Sequence, residues 1–196
     1  IYYDNALIKV YDFPIFYFPK ISHPDPTVER RSGFLSPSIS DTKNLGSGVS
    51  IPYFWALSDD KNFTFTNNLY FSENPLFLGE YHQAFKNSEF VLDFGFTEGY
   101  KKSTSTKKAG EKSHIFAKFE KSFFGKDDSE NNLDISIQDS SDDKYLKLYK
   151  INSNLVDYNI DTLKSSIKFS REKDNMFLGI NAVSYTHLTL PTTTIV

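Results

Sequence analysis

The sequence predicts an all-β protein. Three observations predict it. Segments of about ten residues alternate apolar and polar side chains, clusters of Asp, Asn, Ser, Gly and Pro separate them, and no stretch carries a convincing helical period. The composition suits strands with one apolar and one polar face. Aromatic residues make up 16% of 196 residues, with 19 Phe and 12 Tyr, yet the mean hydropathy is −0.43.

The segments follow in order. Residues Tyr3–Tyr11 alternate, and Pro14 and Pro19 then bracket Ile15–Phe18, a run apolar on both faces. Proline at such margins fits an edge or terminal strand, because it lacks the N–H that a ladder needs. Pro24–Leu35 holds two prolines, the charged triplet Glu29-Arg30-Arg31 and Gly33, and it reads as a junction. From Gly46 the alternation is regular. Strands are expected at 46–57, 62–71, 76–85, 89–97, 113–122, 132–140, 162–171 and 176–183. They are joined by turn signals such as Ser58-Asp-Asp-Lys, Ser72-Glu-Asn-Pro and Lys86-Asn-Ser. In 89–97, Phe90, Leu92, Phe94 and Phe96 oppose Val91, Asp93, Gly95 and Thr97. Residues 144–158 give a mixed signal and read as a loop with a short turn or strand.

Several classes are excluded. No apolar run approaches the roughly 20 residues of a membrane-spanning helix. A membrane barrel stays open, because its strands alternate and raise no hydropathy peak. The net charge of −3 gives no general argument for nucleic acid, and zero Cys removes thiolate catalysis, Cys-based zinc sites and disulfides within these residues. His23, His82, His114 and His187 lack metal-ligand spacing, and no nucleophile, phosphate-loop or zinc-helix motif occurs. Asp59-Asp60, Asp127-Asp128 and Asp142-Asp143 read as solvated turns rather than catalytic pairs or calcium ligands. The expectation is no enzyme and no cofactor. The chain starts without Met, inside an apparent strand, so it is also expected to be a piece of a longer protein.

Three motifs carry a resemblance. Phe13-Pro-Ile-Phe-Tyr-Phe-Pro, Arg30-Arg-Ser-Gly-Phe-Leu and Ile51-Pro-Tyr-Phe-Trp, in this order and spacing, resemble the LPS-assembly protein LptD family (OstA/Imp). The likeness is densest over residues 1–100 and continues in strand pattern to about 183. It implies the end of a periplasmic OstA-like, jellyroll-like domain (1–23), a junction (24–43) and the N-terminal portion of a large antiparallel outer-membrane β-barrel (44–183). The tail 184–196 breaks the pattern and resembles non-native tails on unrelated sequences.

The implied function is export of lipopolysaccharide and its insertion into the outer leaflet of the Gram-negative outer membrane. The implied partners are lipopolysaccharide, an LptA-like periplasmic bridge and an LptE-like plug lipoprotein. The resemblance matches Pro52 to a proline that weakens the barrel seam into a lateral gate, in what is taken as the first strand; the alternative is a proline that marks only a bulge or a sheet edge. The second gate proline would fall at Asn67, where the sequence departs from the pattern. Arg30, Arg31 and Gly33 are expected at the junction, the arginines paired with Glu29, Asp25 or the barrel rim in preference to lipid phosphates, and Gly33 as a hinge. Thr64, Thr66, Asp93, Asp134 and Gln138 are expected to line the lumen. Tyr53, Phe54, Trp55, Tyr70, Phe71, Phe85 and Tyr100 suggest an interfacial girdle. Counting from a periplasmic start puts the 58–61 and 86–88 turns outside and the basic segment Lys101–Lys112 on the periplasmic side. A general porin or receptor barrel and a soluble glycan- or protein-binding β-sandwich stand as the alternatives.

Overall fold

The computed structural model describes residues 2–10, 12–22, 30–103 and 109–188. Pro24, Asp25, Pro26 and Glu29 of the expected junction, His23, the middle of the basic segment and the end of the tail lie outside the described residues.

The described chain is almost wholly strand. β1 (Tyr2–Val10) and β2 (Phe13–Ser22) form a two-stranded antiparallel hairpin. The other strands form one ten-stranded antiparallel sheet: β3 (Gly33–Phe34), β4 (Ser38–Thr42), β5 (Gly46–Ser58), β6 (Lys61–Tyr70), β7 (Leu76–Phe85), β8 (Ser88–Gly99), β9 (Ala109–Phe124), β10 (Glu130–Ser140), β11 (Thr162–Lys173) and β12 (Met176–His187). Neighbours in sequence are neighbours in space, as a meander requires. The order is open, with β12 at one edge and β3 and β4 sharing the far side of β5 at the other. A five-residue helix, α1 (Tyr145–Tyr149), interrupts the β10–β11 connection.

The eight strands expected from Gly46 onward form where alternation placed them. Two features differ from expectation. β3 and β4 add a broken strand ahead of Gly46, inside the expected junction. Its polar sequence Ser-Ile-Ser-Asp-Thr and the interrupting Pro37 hid it. At the other end, β12 runs on through Ser184–His187, paired with Thr162–Ser165, so the first residues of the presumed tail continue the ladder.

The register separates two faces. Thr64, Glu80 and Asp93 pair in one row, followed by Phe116 and Gln138. The alternate residues form the other face, where Phe63, Phe65, Phe77 and Phe94 stack with ring centroids 6.2–6.4 Å apart. Gly79 makes room for this: a Cβ there would lie 2.4 Å from the Phe94 ring. Phe94, Phe96, Ile115, Ile137 and Ile167 are exposed on that face, so an apolar surface stands open to whatever surrounds the sheet.

The core sits over the polar face, at one end. Tight turns (59–60, 86–87, 125–129 and 174–175) gather at the opposite end, and the connections 71–75 and 141–161 and the described residues 100–103 gather here. The β10–β11 connection folds back over the strands. Its Tyr145, Leu146, Tyr149, Ile151 and Val156 cluster with Leu45, Leu76, Tyr100, Phe116, Leu163 and Leu188. The expected aromatic girdle is therefore only partial. Trp55, Phe71 and Phe85 are exposed, whereas Tyr100 is buried and Tyr70 packs against the cluster.

Candidate translocation edge and polar face

The edge strand is attached to β5 along a run of backbone and side-chain bonds. Arg30 Nη1 donates to the Asp59 carbonyl at 3.2 Å, and its guanidinium lies 5.7 Å from the Phe54 ring centroid. The Ala56 N–H donates to Ser32 Oγ at 2.9 Å. Gly33 pairs with Phe54 and Phe34 with Tyr53, and the Phe34 and Tyr53 rings meet edge to face at 5.0 Å. The junction residue Arg30 thus grips the end of β5, Arg31 is exposed, and Gly33 stands in a strand pair.

Beyond Phe34 the ladder fails. The Leu35 N–H donates to the Pro52 carbonyl at 2.9 Å. In an antiparallel pair the N–H and C=O of one residue point the same way. Pro52 therefore turns its missing donor toward the edge strand, and Leu35 receives no return bond. Pairing resumes only at Ser38↔Ser50, after Pro37, which also lacks an N–H. Two prolines thus stand together in one short stretch of ladder. The structure moves Pro52 from the first strand, where the resemblance put it, to one strand inward. Pro37 occupies the edge itself.

Asn67 does not mirror Pro52. It pairs with Ile51 and Phe77 on the apolar face, whereas Pro52 pairs with Thr66 on the polar one. The Asn67 Oδ1 atom is buried without a hydrogen-bond partner. A polar atom so placed is costly.

Thr64, Thr66, Asp93, Asp134 and Gln138 do share the polar face, by register. Their surroundings differ. Asp93 accepts from His114 Nε2 at 3.0 Å, with their side chains 7% and 0% exposed, and His114 Nδ1 lies 3.2 Å from the Tyr145 hydroxyl. Burial pushes the Tyr145 phenol far above its usual range, so the hydroxyl keeps its proton and pairs with Nδ1, while the Asp93 carboxylate can only accept. This arrangement places the imidazole proton on Nε2. Gly95 admits the ring, since a Cβ there would lie 2.5 Å from His114 Cε1. Further bonds fasten the same connection: Lys112 Nζ to Asp142 at 2.5 Å and Asn154 Nδ2 to Glu80 at 3.1 Å. Sequence reading placed Asp93 on this face but missed its partners, because His114 and Tyr145 are 21 and 52 residues away and carry no local motif. Gln138 accepts from the Lys164 N–H and lies where the β10–β11 ladder has stopped, past Ser136↔Ser166.

Among the described residues no group of three or more His, Asp or Glu is arranged to hold a metal ion. No helix among them is long and apolar enough to cross a membrane.

No family model matches the chain. Individual proteins do. The LPS-assembly protein LptD of Shewanella sp. (strain ANA-3) is 41% identical over 73 residues, 37% of this chain. That of Francisella tularensis subsp. holarctica (strain OSU18) is 31% identical over 112 residues, 54% of the chain. The chain is LptD-like. A third LptD, from Psychrobacter arcticus, is 31% identical over 83 residues. The chain spans only 9% to 13% of the length of these LptD relatives.

Proposed function

We propose that this chain forms the opening strands of an outer-membrane barrel that assembles lipopolysaccharide into the outer leaflet, without covalent chemistry. The observation that carries the reading is the local identity to LptD proteins, in a chain whose sheet has one apolar and one polar face. Strands of 10–16 residues from β5 onward suit a tilted crossing of about 9–11 residues with overhang. A soluble sandwich would cover the Phe-rich face with a second sheet, and its exposure speaks for lipid instead.

In this reading the polar face lines a lumen and the proline-broken edge is one side of the seam. The absent Pro52 donor and the gap between Leu35 and Ser38 interrupt this ladder, so it is where a lipid tail could separate neighbouring strands. Arg30 and Arg31 sit at the foot of that edge, and residues before it belong to the periplasmic domain. The extra strand β3/β4 reverses the count of turns. The tight turns 59–60 and 86–87 then face the periplasm, and the longer connections, including Lys101–Lys112, face outward, as outer-membrane barrels usually arrange them. An LptA-like bridge would deliver lipid, and an LptE-like lipoprotein would share the lumen.

The test is complementation. A full-length protein carrying this segment, expressed in Gram-negative cells depleted of their own LptD, restores lipopolysaccharide on intact cells, detected by surface antibody. Membrane insertion without surface lipopolysaccharide would overturn the assignment and leave a general porin or receptor barrel.

A further inference from the structure

We propose that the β10–β11 connection is an internal latch that keeps the proline-broken edge zippered onto β5. The function of the latch rests on the gate reading above; the mechanical coupling does not.

The edge hairpin has little hold of its own. From Arg30 to Ser58 a single large apolar side chain is buried, Leu45 in the β4–β5 turn, 2% exposed. The Leu45 N–H donates to Thr42 Oγ1 at 3.2 Å, so the turn that carries it is tied to the end of β4. Leu45 belongs to the buried cluster in which Tyr149, Ile151 and their neighbours on the connection meet Leu76, Tyr100 and Leu163. Elsewhere this hairpin is held by a ladder that lacks the Pro52 donor and is interrupted between Leu35 and Ser38. Backbone pairing of β5 with β6 apart, the hairpin's buried side-chain attachment to the core is Leu45.

The connection is in turn fixed far from the edge. Tyr145 is bonded to His114 on β9, which Asp93 on β8 holds in turn, Asp142 to Lys112 on β9, and Asn154 to Glu80 on β7. Tyr145 and Tyr149 lie one helical turn apart, with ring centroids 5.4 Å apart. A short helix transmits displacement, since its backbone bonds keep the two rings in register. Between the connection and β4–β6 lies a cavity of about 410 Å³ lined by Ser38, Ser50, Pro52 and Thr66 on one side and Leu148–Asn152 on the other. The connection has room to move there without breaking β6 or β7. Loosening the clasp should therefore free Leu45 and, with it, residues 38–42.

Amide hydrogen exchange of the full-length protein in detergent tests this. Tyr145→Phe deletes one hydroxyl and leaves no cavity. It should speed exchange in 38–45 about fivefold, the loss of one hydrogen bond, with faster exchange in 142–152 and no change in the distant turn 174–175. A second variant holds the latch shut. Glu80→Cys together with Asn154→Cys, joined by a short reducible thiol cross-linker, should slow exchange in 38–45 until reductant is added. Loosening of 142–152 with 38–45 unchanged would overturn the latch, as would acceleration spread equally over the sheet. Surface export in the cross-linked protein separates the two readings. Export blocked and restored by reductant supports the latch as a control on the gate. Exchange coupling with export unaffected keeps the mechanical latch and overturns the gate.

Discussion

The centre and the edge of this sheet are built from the same alternating pattern and are held in different ways. At the centre, β8, β9 and β10 pair without interruption between Val91 and Thr97, and the connection seals their polar face with Phe116, Tyr145 and the Asp93–His114 pair. At the edge, β3 and β4 share one partner strand, Pro52 withholds a donor, Pro37 lies in the gap between them, and Leu45 is the one large apolar side chain buried. Alternation specifies that a strand forms; what lies over its polar face decides how firmly it stays.

The largest effect that would sharpen this contrast is at Phe116. The ring is fully buried beneath the connection and stacks on His114 at 4.6 Å. Phe116→Ala should cost about 3–5 kcal/mol, measured by guanidinium unfolding of the refolded barrel. A cost equal to that of an exposed site such as Phe96→Ala would break the distinction. Next comes His114→Leu, which leaves the Asp93 carboxylate buried without its donor. It should cost about 2–3 kcal/mol in the same assay, and Asp93→Asn should cost less, because an amide can still accept from Nε2.

A smaller effect of opposite sign is expected at the edge. Pro52→Ala returns an N–H facing the Leu35 carbonyl. The new bond contributes about 1 kcal/mol, partly offset by a freer unfolded chain. Exchange in residues 33–42 should slow a few-fold, and lipopolysaccharide export should slow with it.

The smallest effect lies in the tight turn 125–129. Ser129, Lys173 and Arg171 hold the Asp127 carboxyl well below the usual carboxylate range. A depressed folded value gives stability that is present above the unfolded value, 3.8 for an ordinary Asp, and is lost as pH falls from there toward the folded value. Acid unfolding monitored below about pH 4 should show this increment in the wild type and lack it in Asp127→Asn. The group is exposed, so salt should shrink the difference.

How much of this was legible in sequence follows from range. Strands β5 to β12 could be read because each announces itself within ten residues, and Thr64, Thr66, Asp93, Asp134 and Gln138 fell on one face because a two-residue period fixes the face. β3 and β4 could not be read: Ser38–Thr42 has one large apolar residue, Ile39, and Pro37 cuts the strand below recognisable length. That omission put Pro52 at the edge of the sheet instead of one strand inward. The clasp was hidden for another reason. Asp93, His114 and Tyr145 meet only after three strands and a connection have folded, and no local rule joins a histidine to a tyrosine 31 residues on.

Lipid is proposed to pass at the proline-broken edge. A photo-crosslinking residue placed at Ser36, exposed in the gap between β3 and β4, tests it in growing cells against the same residue at Asp174 in the distant β11–β12 turn. Passage at the edge predicts a lipopolysaccharide adduct at Ser36 and none at Asp174. Equal adducts at both positions, or none at Ser36 in a protein that still exports, would contradict it.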